Sequence, residues 1–86
     1  MFSHIMLGAN DLEVSKGFYD ATLATLGIRP GVFSHDKYFY RSPTGVLAIT
    51  KPIDGKEASP ANGGTIGFTA KSIEDVNAFH AAGLAH

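Results

Sequence analysis

The chain has 86 residues and a formal net charge of −1; 44% of its residues are hydrophobic, 17% charged and 10% aromatic. This composition excludes a disordered chain, which would have fewer apolar and more charged residues. The length allows one hydrophobic core, and so short a domain is marginally stable unless disulfides, a metal or association support it. Because cysteine is absent, disulfides and thiolate metal sites are excluded.

Charge and hydropathy also limit the possible partners. Seven Lys and Arg against eight Asp and Glu form no basic patch, so nucleic acid is not an expected partner. No apolar run approaches the roughly 20 residues that span a bilayer, and no Lys or Arg precedes the first apolar stretch as in a signal peptide. We therefore expect a cytoplasmic domain with no membrane partner. Because so short a chain is marginally stable by itself, we also expect a partner subunit, as a homodimer or a strand-complementing partner.

The first elements are a strand and a helix. Phe2–Ala9 is short and apolar, which predicts a buried strand. Asp11 is placed as an N-cap, and apolar residues at helical spacing predict a helix over about Leu12–Leu26. Gly27 is then placed as its C-cap.

Three strands follow. Ile28–Ser34 contains a proline and a glycine, which favours an edge strand. His35-Asp36 predicts a turn, and Lys37–Arg41 is rich in strand-forming aromatic residues. Ser42–Gly45 predicts the turn of a hairpin whose second strand is Val46–Thr50.

A linker, a strand and a helix complete the chain. Lys51–Gly64 is polar and rich in Pro and Gly, as linkers are. Thr65–Ala70 predicts a fifth strand, and Ser72 an N-cap. The apolar stripe of the second helix comprises Ile73, Val76, Phe79 and Leu84. The predicted fold class is α+β, in the order β-α-β-β-β, linker, β-α.

An internal repeat relates the two ends of the chain. Ser3–Leu23 aligns without a gap with Gly64–Leu84, at a constant shift of 61, with six identities in 21 positions. The matches fall on apolar positions and on the caps, although any two strand-helix units share some of this pattern. The repeat predicts a βαβββ module over residues 1–61 and a partial second module, βα only, over residues 62–86.

Several segments together resemble one protein superfamily. A strand that opens with His4-Ile5 precedes a helix carrying Asp11, Leu12, Ser15, Phe18 and Tyr19, and Gly27-Ile28 follows it. This arrangement resembles the vicinal oxygen chelate superfamily, which includes glyoxalase I, bleomycin-resistance and fosfomycin-resistance proteins and extradiol dioxygenases. The resemblance implies paired βαβββ modules around a cleft, and it implies that such a protein usually continues past His86.

The resemblance also implies what a metal site would need. Metal-dependent members hold one divalent ion with His or Glu ligands on the first and fourth strands of each module. His4 matches the first-strand ligand, but its counterpart in the repeat is Thr65, and Thr50 stands near the place of an expected Glu. Because such chemistry needs at least three ligands, we expect no metal or other cofactor unless ligands come from outside this chain.

Strand alternation predicts which side chains line the cleft. The face away from the helices would carry His4, Met6 and Thr65, and pairing of Phe39 with Ala48 would add residues of the hairpin. A register slip of one residue would reverse this assignment for the hairpin. The predicted ligand-binding residues are His4, Met6, Phe39, Arg41, Thr50 and Thr65. This mixture suits a small organic anion or an aromatic molecule.

Three functions remain open. The first is a glyoxalase/bleomycin-resistance/dioxygenase-like protein that binds a small organic molecule without a metal, in a cleft between paired modules. The second is a metal-dependent lyase or dioxygenase with His4 as one ligand and the others from a missing segment or a partner chain. The third is an inactive fragment. No catalytic residue is assigned, since no known nucleophile, phosphate-loop or metalloprotease motif occurs.

Overall fold

A computed structural model describes all 86 residues. Its elements are β1 (His4–Gly8), α1 (Leu12–Ala24), β2 (Val32–Ser34), β3 (Lys37–Ser42), β4 (Gly45–Thr50) and α2 (Ile73–Ala85). The fold is α+β, as the sequence predicted. Neither helix is long and apolar enough to cross a bilayer.

The four strands form one sheet in the order β1-β4-β3-β2. β1 runs parallel to β4, whereas the other neighbours are antiparallel. Helix α1 packs on one face of this sheet, and α2 lies against α1. The core between α1 and the sheet consists of Leu23, Tyr38, Tyr40, Leu47 and Ile49.

The two helices begin in the same way. The Asp11 side chain accepts a hydrogen bond from the backbone N–H of Val14, and Ser72 accepts one from Asp75, each at 3.1 Å. These caps satisfy backbone donors that have no partner within the helix. Helix α2 begins and ends 61 residues after the corresponding ends of α1. The offset of the sequence repeat therefore holds over the whole length of both helices.

Helix α1 ends two residues before the predicted end. The Gly27 N–H donates to the Ala24 carbonyl at 3.0 Å, and the Ile28 N–H donates to the Leu23 carbonyl at 3.1 Å. This pair of bonds is a Schellman motif, in which the residue after the helix takes a left-handed conformation. Gly27 has φ of 80°, which glycine adopts without steric cost. The terminating role predicted for Gly27 is confirmed.

The hairpin has the predicted register. Arg41 pairs with Val46, and Phe39 pairs with Ala48. The pairing extends one step further than predicted, to Ser42 and Gly45. Short β2 lies at the edge of the sheet, as the proline predicted, and begins at Val32 rather than at Ile28.

The fifth predicted strand does not form. Residues 65–70 belong to no sheet, because no strand is in place to complete a hydrogen-bonded ladder with them. The half-buried Phe68 nevertheless packs against the core, and its ring centroid lies 6.0 Å from that of Phe79. The rest of the predicted stripe of α2, namely Ile73, Val76 and Leu84, is exposed.

Candidate functional site

The sheet has one covered face and one face without a helix. Side chains at alternate positions of β4 point to opposite faces. Leu47 and Ile49 belong to the core beneath α1, so Val46, Ala48 and Thr50 lie on the other side. We call that side the open face. With the residues paired to these three, it carries His4, Met6, Gly8, Lys37, Phe39, Arg41, Val46, Ala48 and Thr50.

The open face is organised in rows that cross three strands. Ala48 is paired with Met6 on one side and with Phe39 on the other. Ala48 is fully buried between these larger neighbours, whereas Met6 is 46% exposed and Phe39 is half-buried. In the middle row, the thioether of Met6 and the aromatic ring of Phe39 are therefore accessible to solvent.

The next row carries the polar groups. Val46 is paired with His4 on β1 and with Arg41 on β3. His4 is exposed, and its Nδ1 shares a 2.7 Å hydrogen bond with the Ser3 hydroxyl. An imidazole and a guanidinium thus flank one valine, two residues along the strands from the apolar row.

Arg41 is a cation without an anionic partner. Its guanidinium carbon lies 4.9 Å from the centroid of the Phe39 ring, within the range of a cation–π contact. The only ion pair of the protein joins Lys16 and Asp20, on the helix side of the sheet. The guanidinium donors of Arg41 are therefore available to a ligand.

A loop borders the other end of the open face. A side chain at Gly8 would meet the Ala58 Cβ at 3.3 Å and the Pro52 side chain at 3.5 Å. The Ala58 N–H donates to the Asn10 side-chain oxygen at 2.6 Å. The loop over residues 51–60 is thus tied to the end of β1, and it limits that end of the face.

The structure places five of the six predicted ligand-binding residues on this one face, namely His4, Met6, Phe39, Arg41 and Thr50. Thr65 is exposed and outside the sheet, so it does not join them. The prediction that Thr65 lies on the cleft face is wrong, because the strand that would have carried it does not form. That any of the six binds a ligand stays a prediction.

The residues present do not fit a metal ion. No three His, Cys, Asp or Glu side chains lie close enough together anywhere in the chain to hold one. His4 is the only imidazole or carboxylate group on the open face. A metal at this face would need most of its ligands from outside the chain.

A groove of about 700 Å³ reaches the polar row from the end of the sheet. Its lining includes His4, Arg41 and Val46 of the open face, and Ile66 and Phe68 of the segment after the linker. The groove joins the polar row of the open face to the segment that follows the linker. It does not include the apolar row of Met6 and Phe39.

Sequence reasoning missed a polar cluster under α1. Asp20 accepts hydrogen bonds from the Tyr40 hydroxyl at 2.8 Å and from the Gly31 N–H at 3.0 Å, and it pairs with Lys16. Burial disfavours ionisation of Asp20, but these donors outweigh it and lower its pKa. Burial and then the hydrogen bond to Asp20 raise the pKa of Tyr40 far above its usual value. The sequence signal for this cluster was Tyr40 itself, because a tyrosine hydroxyl that is buried in the core needs a hydrogen-bond partner.

A solved structure resembles this chain closely. It is the crystal structure of a glyoxalase/bleomycin resistance protein from Albidiferax ferrireducens T118, with 62% sequence identity and a TM-score of 0.96. The match covers 99% of this chain and 68% of that chain. No model of a protein family and no curated protein matches the sequence.

Proposed function

Because the chain belongs to the glyoxalase/bleomycin-resistance family of the vicinal oxygen chelate superfamily, we propose that it binds a small organic molecule on its open face, without a metal. One observation carries the proposal: Met6, Phe39, His4 and Arg41 share a sheet face that no helix covers. Apolar surface beside a few convergent polar groups is typical of small-molecule sites. The single potential metal ligand on this face favours binding over metal-dependent chemistry.

The cleft needs a second wall, which we propose is a second copy of the module. β1 pairs only with β4, so its other edge has unpaired backbone groups that favour association. The accessible surface is 6419 Å², whereas a compact monomer of this mass would expose about 4,900 Å². The excess of about 1,500 Å² exceeds the roughly 800 Å² that each partner buries in a standard protein interface.

The exposed stripe of α2 supports the same arrangement. Leu84 is 78% exposed. Its counterpart in the repeat, Leu23, lies on the side of α1 that faces the sheet and is 1% exposed. Leu23 is buried because α1 packs on a sheet, and α2 has no sheet of its own. We propose that Leu84, with Ile73 and Val76, packs on a sheet from outside this chain.

Ligand-dependent thermal stabilisation in the presence of a chelator tests the binding function. With benzoate or benzamide as the probe, the melting temperature should rise with probe concentration, since a ligand that binds only the folded state stabilises it. Phe39→Ala should abolish the rise. Phe33→Ala, which removes an exposed ring on the other face of the sheet, should not. If neither benzoate nor benzamide stabilises the protein, the proposal is contradicted and an inactive fragment is favoured.

Sedimentation tests the second wall. The chain should associate at micromolar concentration, and Leu84→Lys should weaken this association. Glu74→Lys on the same helix changes charge without removing an exposed apolar side chain, so it serves as the control. A stable compact monomer over the whole concentration range would contradict completion of the cleft by a second copy.

The second candidate function is that of a metal-dependent lyase or dioxygenase. The exposure of His4 on the open face favours it, since a first-strand ligand would stand there. Elemental analysis of the purified protein separates the two candidates. Stoichiometric Ni, Zn, Fe or Mn that is lost on His4→Ala would overturn metal-free binding. Protein without metal that still binds benzoate or benzamide would support it.

A further inference from the structure

The open face has an unbalanced charge. Its cationic side chains are Arg41 and Lys37, and no Asp or Glu lies at any of its strand positions. The chain as a whole has one more acidic than basic residue, so this bias belongs to the face and not to the composition. Neither cation lies within ion-pair distance of a carboxylate.

The cation and the apolar surface are neighbours. Arg41 and Phe39 are two residues apart on β3, which places them about 7 Å apart along one face. The guanidinium also lies against the Phe39 ring, which restricts its orientation before a ligand arrives. Met6 continues the apolar surface on the far side of Ala48. A ligand that matches this layout has a flat apolar body and an anionic group at one end.

We propose that the open face selects an aromatic carboxylate, and that Arg41 is the specificity-determining residue that recognises the carboxylate while the ring lies over Met6 and Phe39. This inference rests on the binding function proposed above. A guanidinium presents two parallel donors that match the two oxygens of a carboxylate. A cationic ligand of the same shape would be repelled by Arg41 and Lys37.

Three isosteric probes separate charge from shape: benzoate is anionic, benzamide neutral and benzamidine cationic. The measurement is the dissociation constant of each, from ¹⁵N chemical-shift titration of the full chain. Benzoate should bind at least about tenfold more tightly than benzamide, and benzamidine should bind most weakly. The shifts should be largest for residues of the open face.

Two variants test the role of Arg41. Arg41→Gln should reduce the preference for benzoate over benzamide to about twofold or less and leave the affinity for benzamide nearly unchanged. Lys56→Gln removes an exposed cation of the loop over residues 51–60, which lies neither on the open face nor in the groove that Arg41 lines, and it should preserve the full preference.

The outcomes distinguish the inference from the proposed function. Equal affinity for the three probes, or an unchanged preference in Arg41→Gln, would overturn the recognition of a carboxylate while small-molecule binding stands. Absence of binding by all three probes would overturn the inference together with the binding function. A preference that falls equally in Lys56→Gln would show that charge acts at long range, and it would overturn the specific role of Arg41.

Discussion

The Asp20 carboxylate and the Tyr40 hydroxyl form a hydrogen bond of 2.8 Å across 20 residues of sequence. The bond joins the middle of α1 to the core face of β3. Asp20 also accepts the Gly31 N–H, so one carboxylate links the helix, the sheet and the segment between them. This cluster stabilises the helix side of the sheet, opposite the open face.

Replacing Asp20 should make stability less dependent on pH. Its folded-state pKa is lowered, so its contribution is fully present above the unfolded value of about 3.9 and is lost as pH falls through the folded value. Asp20→Asn should cost about 1–3 kcal/mol at pH 7, because it removes charge-assisted hydrogen bonds. Urea unfolding at pH 7 and pH 2.5 should show this difference shrinking at the lower pH. Asp54→Asn, in an exposed loop, should change stability by less than about 0.5 kcal/mol.

Two glycine substitutions should have opposite effects. A Cβ at Gly31 would lie 2.7 Å from Cζ of Tyr40, which is buried and held by Asp20, so Gly31→Ala should destabilise the fold by about 1–3 kcal/mol. Gly17 lies within α1 with open space around it, so Gly17→Ala should stabilise by about 0.5–1 kcal/mol. Chemical denaturation measures both. A Gly31→Ala variant as stable as the parent would show that Tyr40 is not fixed in place.

The two helix caps should contribute equally if the repeat is structural. Asp11→Ala and Ser72→Ala should each cost about 1 kcal/mol, since each cap satisfies one backbone donor at the start of a helix. Thermal unfolding followed by circular dichroism measures the loss. Ser59→Ala, an exposed loop serine, is the control. A cost at Asp11 with none at Ser72 would indicate that α2 unfolds independently of the core.

The counterparts Leu23 and Leu84 should differ strongly in the isolated chain. Leu23→Ala should cost about 3 kcal/mol, because it leaves a cavity beneath α1. Leu84→Ala should cost less than about 0.5 kcal/mol at concentrations where the chain is monomeric. Equilibrium unfolding at several protein concentrations tests this expectation. A Leu84→Ala cost that does not grow with concentration would contradict packing of α2 on a second copy.

Predictions for the first module depended on local signals. Caps, turn residues and strand-forming aromatics act over a few neighbouring residues, so the hairpin register and the ends of α1 could be predicted to within two residues. The alternation along β1 and β4 placed His4, Met6 and Thr50 on the correct face. The prediction for Thr65 failed because a strand also needs a neighbour, which a local pattern does not supply.

The sequence by itself determined the order of the elements from β1 to β4, the helix caps and the alternation that separates a core face from an open face. These features depend on backbone preferences and on side-chain periodicity, both of which act within one element. Only the tertiary structure decided that Asp20 meets Tyr40, that Arg41 lies over Phe39 without an ion-pair partner, and that Leu84 stays exposed while Leu23 is buried. Those contacts and exposures depend on how segments that are distant in the sequence pack against one another.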